Sequence, residues 1–260
     1  MLTAAQLQQY RDQGYVLISG VYSVAELDAM EREFDGIIER RLAARANLDA
    51  TWPGDWRKQF KVQQQIIHTH DLQAHSAVWT KALVQDKFTE ALSDCLESPN
   101  VQLHHTKLFQ KPPERGAAFP MHQDAPYFPH KDHSMMAGII HLSDATLDMG
   151  CVCVYPGSHK LGMLAEFDPK AHYLDPAVWP IEKATPCPAK RGDVLLFNYL
   201  TIHGSGINTS PHTRKTVLVQ VRNPLDQPLD DSHKSQGQGT MLRGIDPLTQ
   251  SIAALTATAH

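Results

Sequence analysis

Long apolar runs are missing from this chain of 260 residues. No stretch reaches the roughly 18 consecutive apolar residues that suggest a transmembrane helix, and the N-terminus lacks the apolar core of a signal peptide. The chain also lacks a large excess of either positive or negative charge. The net charge is −4 with histidine neutral, which provides no overall field for nucleic acid or an anionic membrane. We therefore expect neither nucleic acid nor a membrane as a partner.

Cysteine is scarce, and the Cys-x-x-Cys pairs of many zinc sites do not occur. Of the four cysteines, Cys151 and Cys153 flank one residue in an apolar, strand-like run, which is not typical of a disulfide framework. This usage predicts a reduced, cytoplasmic protein. Internal repeats, low-complexity tracts and a clear linker are also missing, so we expect one domain over residues 1–260.

Residues 1–100 carry helical periodicity and are expected to form a mostly helical support. Apolar spacing predicts helices over about residues 7–13, 23–46 and 76–98, with a short strand at residues 15–18. The second helix begins with the capping-box signature of Ser23 and Glu26. Its charged face, opposite the apolar one, is interpreted as solvated.

From Val101 the period changes to the alternation of a strand. Val101, Leu103, His105, Lys107 and Phe109 share one predicted face, and polar residues on both faces indicate that one face lines a site. Further short strands are predicted over residues 136–142, 151–155, 194–199 and 215–221.

Turn residues, not helices, separate these strands, which argues against repeated βαβ units. The order of elements predicts a mainly β fold, an antiparallel barrel or jelly roll with the N-terminal helices packed on its outer face. We expect the jelly-roll core to span residues 101–223. Residues 224–260 would then form a C-terminal tail or lid.

His122 and Asp124 form the first candidate pair of metal ligands. On an extended backbone, residues i and i+2 point the same way, so both groups can reach one point. Two histidines and one carboxylate on one face form the ligand set of non-haem Fe(II) oxygenases. The pair alone is weak evidence in a chain with fifteen histidines, since a surface turn before Pro126 explains it equally well.

His203 supplies a second histidine, and Arg214 follows eleven residues later across a polar turn. In the strand that begins there, Arg214, Thr216 and Leu218 share a face that is predicted to point inward. The opposite face, with Lys215 and Val217, suits packing under the helices. A buried guanidinium requires an anion, either an internal carboxylate or a bound dicarboxylate.

These residues, with the Pro-Gly-Ser-His-Lys turn at residues 156–160, resemble the phytanoyl-CoA dioxygenase family of Fe(II)/2-oxoglutarate oxygenases. The resemblance covers about residues 7–223 and implies a double-stranded β-helix, or jelly roll. It further implies the cofactors Fe(II), 2-oxoglutarate and O2. The implied site residues are His122, Asp124 and His203 for iron, Arg214 and Thr216 for the far carboxylate of 2-oxoglutarate, and Lys61 and Lys107 near that cosubstrate. The family's residue at the Lys107 position is commonly apolar, so this chain departs from the pattern there.

The resemblance implies hydroxylation of a small molecule with release of succinate and CO2. Lys107 and His105 on one face, His141 on a neighbouring strand, and Lys111 and Arg115 near His122 favour a small substrate with a carboxylate, phosphonate or phosphate. An acyl-CoA hydroxylase, a non-oxidative cupin-like metal protein and a binding module without catalysis are the alternatives. His68, His70 and His75 are expected to have ordinary surface or packing roles.

Overall fold

The computed structural model describes residues 1–50, 65–164, 173–230 and 233–249. Its helices are α1 (Ala4–Gln13), α2 (Val24–Ala43), α3 (Leu72–His75), α4 (Ala77–Leu83) and α5 (Asp86–Leu96). Its strands are β1 (Tyr15–Ile18), β2 (Ile67–His70), β3 (Val101–Lys111), β4 (Phe119–His122), β5 (Met136–His141), β6 (Val152–Val154), β7 (Thr185–Cys187), β8 (Val194–Asn198), β9 (His203–Ser205), β10 (Arg214–Arg222) and β11 (Met241–Arg243).

Two antiparallel sheets form the body of the molecule. The larger has the order β1-β8-β5-β10-β3-β11, with β2 also paired to β3, and the smaller has the order β4-β9-β6-β7. The inner faces of both sheets line a common cavity. The predicted mainly β, jelly-roll architecture with packed helices is therefore confirmed.

The helices cover the outer face of the larger sheet. Phe34 of α2, Trp79 of α4 and Phe88 of α5 are fully buried there, in one apolar cluster with valines and leucines of β3, β8 and β10. Burial of such side chains stabilises the folded state by roughly 1.5–3 kcal/mol each for residues of the Val, Leu or Phe type. No described helix is both long and apolar enough to span a bilayer.

Local capping explains where the helices begin. Ser23 and Glu26 make the predicted reciprocal capping box at the start of α2, which ends at Ala43, three residues before the predicted end. The single helix predicted over 76–98 is wrong, because Gln85 interrupts it. The Gln85 side chain accepts a hydrogen bond from the Phe88 amide (3.0 Å) and so begins α5 as a separate helix.

The two faces of β10 have the roles that alternation predicted. Val217 and Val219 are buried in the cluster beneath the helices, and Lys215 bonds Glu31 (3.0 Å) and Asp35 (2.8 Å) of α2. Arg214 and its inward neighbours line the cavity instead. One strand thus joins the helical layer to the cavity.

A β-bulge divides β3. Gln220 of β10 is paired with His105 but Val221 is paired with Leu103, so His104 is an extra residue on β3. The bulge reverses the alternation, and Leu103 packs in the same outer cluster as Leu108. The expectation that Val101 and Leu103 share a face with His105 is therefore wrong.

Short elements near the chain's end lie beside β3. Strand β11 is paired with Val101 and Gln102, and the Ser235 hydroxyl donates to the carbonyl of His104 (2.5 Å). Part of the segment expected as a tail or lid is thus joined to the larger sheet. Residues 250–260 lie outside the described part of the chain.

Candidate metal and cosubstrate site

Two strands of the smaller sheet place the candidate histidines side by side. His122 ends β4, His203 begins β9, and the two residues are cross-strand partners with ring centroids 4.2 Å apart. Asp124 is not on the strand, contrary to the alternation argument, because its backbone has turned into a helical conformation (φ −76°, ψ −28°). Its amide and the next one both donate to the carbonyl of Tyr199 (3.0 and 3.2 Å), which directs the turn.

The three side chains nevertheless converge. The Asp124 Oδ1 atom lies 3.5 Å from His122 Nε2 and 3.7 Å from His203 Nε2, and one ligand atom from each residue fits within 4.8 Å of the others. Ligands that are each about 2.1 Å from one metal ion lie on the order of 3–4 Å apart. This geometry can hold a divalent ion with two nitrogens and one oxygen.

Backbone carbonyls fix the tautomer of both imidazoles. His122 Nδ1 lies 2.8 Å from the carbonyl of Pro120, and His203 Nδ1 lies 3.0 Å from the carbonyl of Thr201. A carbonyl can only accept, so each Nδ1 carries the hydrogen and each Nε2 presents its lone pair toward Asp124. Neutral imidazoles in this tautomer are the form that binds metals.

Electrostatics keep His203 neutral and Asp124 ionised. Burial, together with the neighbouring His122, lowers the pKa of His203 to about 4, so this imidazole is neutral near pH 7. Burial acts to raise the pKa of Asp124, but His203, His122 and a hydrogen bond from Gln220 outweigh it and hold the pKa below its usual value. The site therefore contains an ionised carboxylate beside a neutral His203 imidazole.

Gln220 is a functional residue that sequence reasoning missed. Its Nε2 donates to Asp124 Oδ2 at 2.6 Å, and the side chain is fully buried on the cavity face of β10. The bond occupies one carboxylate oxygen and turns the other toward the imidazoles. The signal in the sequence was its position, two residues past Leu218 on the face predicted to point inward.

Arg214 lies at the far end of the cavity face of β10. Its side chain is buried, with the residue 3% exposed, and Nη1 donates to the carbonyl of Gly150 while Nε has no hydrogen-bond partner. No carboxylate in the described part of the chain forms an ion pair with it, so the structure provides no internal carboxylate of the kind the alternative required. Burial lowers the Arg214 pKa to about 10, which leaves the group charged. Thr216 lines the cavity beside it.

Lys107 also lines the cavity, as predicted. Its ammonium lies 5.0 Å from the Phe109 ring centroid and has neither a hydrogen bond nor an ion pair among the described residues. Burial lowers its pKa to about 8, with Asp124 partly offsetting the shift, so the group is mainly charged at pH 7. Lys61, the other predicted cosubstrate lysine, lies outside the described residues.

The remaining predicted basic residues lie elsewhere. His141 is buried but does not line the cavity, and its Nδ1 lies 3.1 Å from the carbonyl of Asp193. Arg115 is exposed. Lys111 is fully buried behind the cavity wall, not at the approach to His122.

A group of imidazoles borders the cavity near Lys107. His70, His105 and His233 line it, with ring centroids of His105 and His233 4.8 Å apart. Burial lowers the pKa of His70 to about 3 and that of His105 well below its usual value, so both are neutral. Strand β2 carries His70 to the cavity wall, and its expected surface or packing role stays a prediction. His233 carried no sequence signal.

Comparisons with known proteins agree with this geometry. A family model for phytanoyl-CoA dioxygenase (PhyH) matches residues 10–216. A probable phytanoyl-CoA dioxygenase of Caenorhabditis elegans is 27% identical over 237 residues, which cover 86% of this chain and 76% of the relative. A probable alpha-ketoglutarate-dependent hypophosphite dioxygenase of Stutzerimonas stutzeri is 25% identical over 225 residues, which cover 83% of this chain and 77% of the relative.

The fold is also found in solved structures. The non-heme alpha ketoglutarate dependent carbocyclase SnoK, from nogalamycin biosynthesis, superposes with a TM-score of 0.73 at 20% identity, covering 92% of this chain and 93% of that one. Homologous oxygenases bind iron and 2-oxoglutarate and use O2 as a cosubstrate. The extent of the family match confirms the resemblance seen in the sequence. This chain belongs to the phytanoyl-CoA dioxygenase family and is a non-haem iron- and 2-oxoglutarate-dependent dioxygenase.

Proposed function

We propose that this enzyme hydroxylates a small anionic metabolite, one that carries a carboxylate, phosphonate or phosphate, and releases succinate and CO2. His122, Asp124 and His203 would hold Fe(II), and their fit rests on two Nε2 lone pairs and one carboxylate oxygen directed at a common point. Iron and 2-oxoglutarate, when bound, would supply the oxidising chemistry. The protein's own residues position the reactants and exclude water.

Arg214 and Thr216 are the proposed partners of the far carboxylate of 2-oxoglutarate. A buried guanidinium without a carboxylate partner is costly, and a bound carboxylate offers the matching bidentate geometry. The orphaned Nε of Arg214 provides an unused donor for such a ligand. Lys61 remains a proposed neighbour of the cosubstrate by family resemblance alone.

Lys107 is the observation that carries the substrate proposal. It is paired with Leu218, four residues along β10 from Arg214, which corresponds to about 13 Å at roughly 3.3 Å per residue. We infer that Lys107 serves the Asp124 end of the cavity, since Asp124 is the charged group that acts on its pKa. A second anion near Asp124 would compensate the buried ammonium, and it belongs either to the substrate or to the other carboxylate of 2-oxoglutarate.

The surroundings of Lys107 suit an oxyanion. Neutral imidazoles of His70 and His233 can each donate one hydrogen bond to it, and His105 can do so when His104 is the donor in the 2.7 Å bond between their Nδ1 atoms. The described residues line a half-open cavity of about 220 Å³, below the usual range of roughly 300–1,000 Å³ for small-molecule sites, and 2-oxoglutarate must share it. This size favours a small substrate over a long acyl chain.

The relatives support different substrate classes. The hypophosphite dioxygenase of Stutzerimonas stutzeri is named for a small oxyanion, whereas the relative from Caenorhabditis elegans is named for an acyl-CoA. An acyl-CoA hydroxylase is therefore the second candidate, with the thioester's phosphates using the cationic groups outside the cavity. We also propose a cytoplasmic location, which is supported by the scarcity of cysteine in the sequence.

Substrate-coupled succinate release tests the proposal. Small carboxylates, phosphonates and phosphates would be compared with their neutral amides or esters and with acyl-CoA thioesters. Turnover of anions alone supports the proposal, whereas equal turnover of neutral analogues, or of thioesters only, contradicts it. Metal-dependent conversion without succinate would instead identify a non-oxidative cupin-like enzyme.

Lys107→Met separates substrate from cosubstrate. We expect it to raise the apparent KM for the anionic substrate and to leave iron loading and the 2-oxoglutarate requirement unchanged. Lys131→Met is the matched control, because Lys131 is exposed and does not line the cavity. A rise confined to the 2-oxoglutarate requirement would assign Lys107 to the cosubstrate.

A further inference from the structure

Lys111 is a buried cation that the proposed reaction does not use. It ends β3, is paired with Arg214 across the sheet, and has no exposed surface. Its Nζ donates to the Ser205 hydroxyl oxygen (2.7 Å) and to the carbonyl of Gly206 (2.5 Å), and it lies 5.4 Å from the ring centroid of Phe119. No carboxylate forms an ion pair with it in residues 1–50, 65–164, 173–230 or 233–249.

The bond to Ser205 fixes the direction of a hydroxyl hydrogen. A protonated Lys111 has donors only, so the Ser205 oxygen accepts from it and the hydroxyl hydrogen points away from that bond. Ser205 is buried and lines the cavity together with Arg214 and Thr216. The hydroxyl can therefore donate toward an anion at the Arg214 end of the cavity.

The buried charges of Lys111 and Arg214 also favour an anion at this end of the cavity. Two cations are buried at neighbouring positions of β3 and β10, and neither has a carboxylate partner among the described residues. Burial and the neighbouring Arg214 lower the pKa of Lys111 well below its ordinary value, because each cation makes the burial of the other more costly. An anion bound at this end would compensate both charges, whereas a neutral ligand would compensate neither.

We propose that Lys111 is a positioning residue for the far carboxylate of 2-oxoglutarate, acting through the Ser205 hydroxyl and through its charge behind Arg214. It would thereby favour binding of a 2-oxo acid that has a second carboxylate over binding of a 2-oxo acid that lacks one. The inference rests on the proposed placement of that carboxylate at Arg214. Lys111 itself does not touch the cosubstrate.

Anaerobic titration of the Fe(II)-loaded protein tests this role without turnover. The visible charge-transfer band reports binding of 2-oxoglutarate and of 2-oxopentanoate, which has the same chain length but a methyl group in place of the far carboxylate. We expect Lys111→Met to raise the apparent Kd of 2-oxoglutarate about 10- to 100-fold. The apparent Kd of 2-oxopentanoate should change by less than about threefold, on the order of ordinary context effects.

Each other outcome has a distinct meaning. Equal weakening of both ligands would reveal a merely structural role and overturn the proposal, as would unchanged binding of both. Lys111→Gln keeps a donor for Ser205 and removes the charge, so it replaces the methionine variant if that one fails to fold, with a smaller loss of selectivity in the same direction. Lys131→Met should behave as wild type. A wild-type protein that shows no preference for 2-oxoglutarate over 2-oxopentanoate would contradict the placement at Arg214 instead.

Discussion

Replacing Gln220 with leucine removes one hydrogen bond next to the candidate iron site and little else. The Gln220 side chain is fully buried, its Nε2 donates to Asp124 Oδ2 at 2.6 Å, and its Oε1 has no hydrogen-bond partner. Leucine has a similar volume and satisfies the apolar contacts. The change therefore tests how much the hydrogen bond contributes to the orientation of the carboxylate.

The size of the expected effect follows from the usual strength of such a hydrogen bond. A hydrogen bond to a charged group contributes about 1.5–3 kcal/mol, and loss of a bond that orients a metal ligand typically weakens metal binding by about 10- to 100-fold. Gln220→Leu should raise the Kd of Fe(II) by that factor, since Asp124 can then rotate away from His122 and His203.

Competition with a chromogenic Fe(II) chelator under nitrogen measures the metal affinity directly. Thr216→Val is the matched control, because Thr216 lies on the same strand and face but at the Arg214 end of the cavity. It should weaken 2-oxoglutarate binding and leave the Fe(II) affinity unchanged. An Fe(II) affinity in Gln220→Leu that equals the wild-type value would refute the orienting role of this glutamine.

Three further predictions address the rest of the site. His203→Ala should abolish the charge-transfer band of the anaerobic Fe(II) and 2-oxoglutarate complex, and a surviving band would remove His203 from the ligand set. Arg214→Ala should weaken 2-oxoglutarate binding by about 2–5 kcal/mol with iron still bound; an unchanged affinity would leave Arg214 with a structural role only. Burial lowers the pKa of His104 to about 3 from 6.5, so below pH 6.5 the unfolded chain binds a proton that the folded protein does not. Acidification from pH 8 to 5 should therefore cost about 2 kcal/mol of folding stability through His104, and urea unfolding of His104→Phe at both pH values should show a loss smaller by that amount.

The sequence was sufficient where a pattern extends over many residues. The faces of β10 followed from alternation, and the start of α2 followed from Ser23 and Glu26. His122, His203 and Arg214 could be selected because their order and spacing match a family, and the structure brings the first two together at one end of the cavity.

Other features depend on contacts that a linear pattern does not contain. The backbone turn at Asp124 is directed by the carbonyl of Tyr199, which is distant in sequence. The bulge at His104 has no glycine or proline to mark it, and strands β4, β9 and β11 have only three or four residues, too few for alternation to be recognised. Lysine is almost never fully buried unless it is paired, so no pattern could indicate the complete burial of Lys111.

The pairing of β10 also makes enzymatic activity a measure of folding fidelity. A slip of one residue would exchange the cavity face for the apolar face, and a slip of two would move every inward side chain by about 7 Å and place Thr216 where Arg214 belongs. Either error would also separate Lys215 from the acidic residues of α2 and require the bulge at His104 to migrate. Misregistered molecules would therefore be both inactive and destabilised, so the specific activity of a preparation should be proportional to its fraction of correctly paired chains.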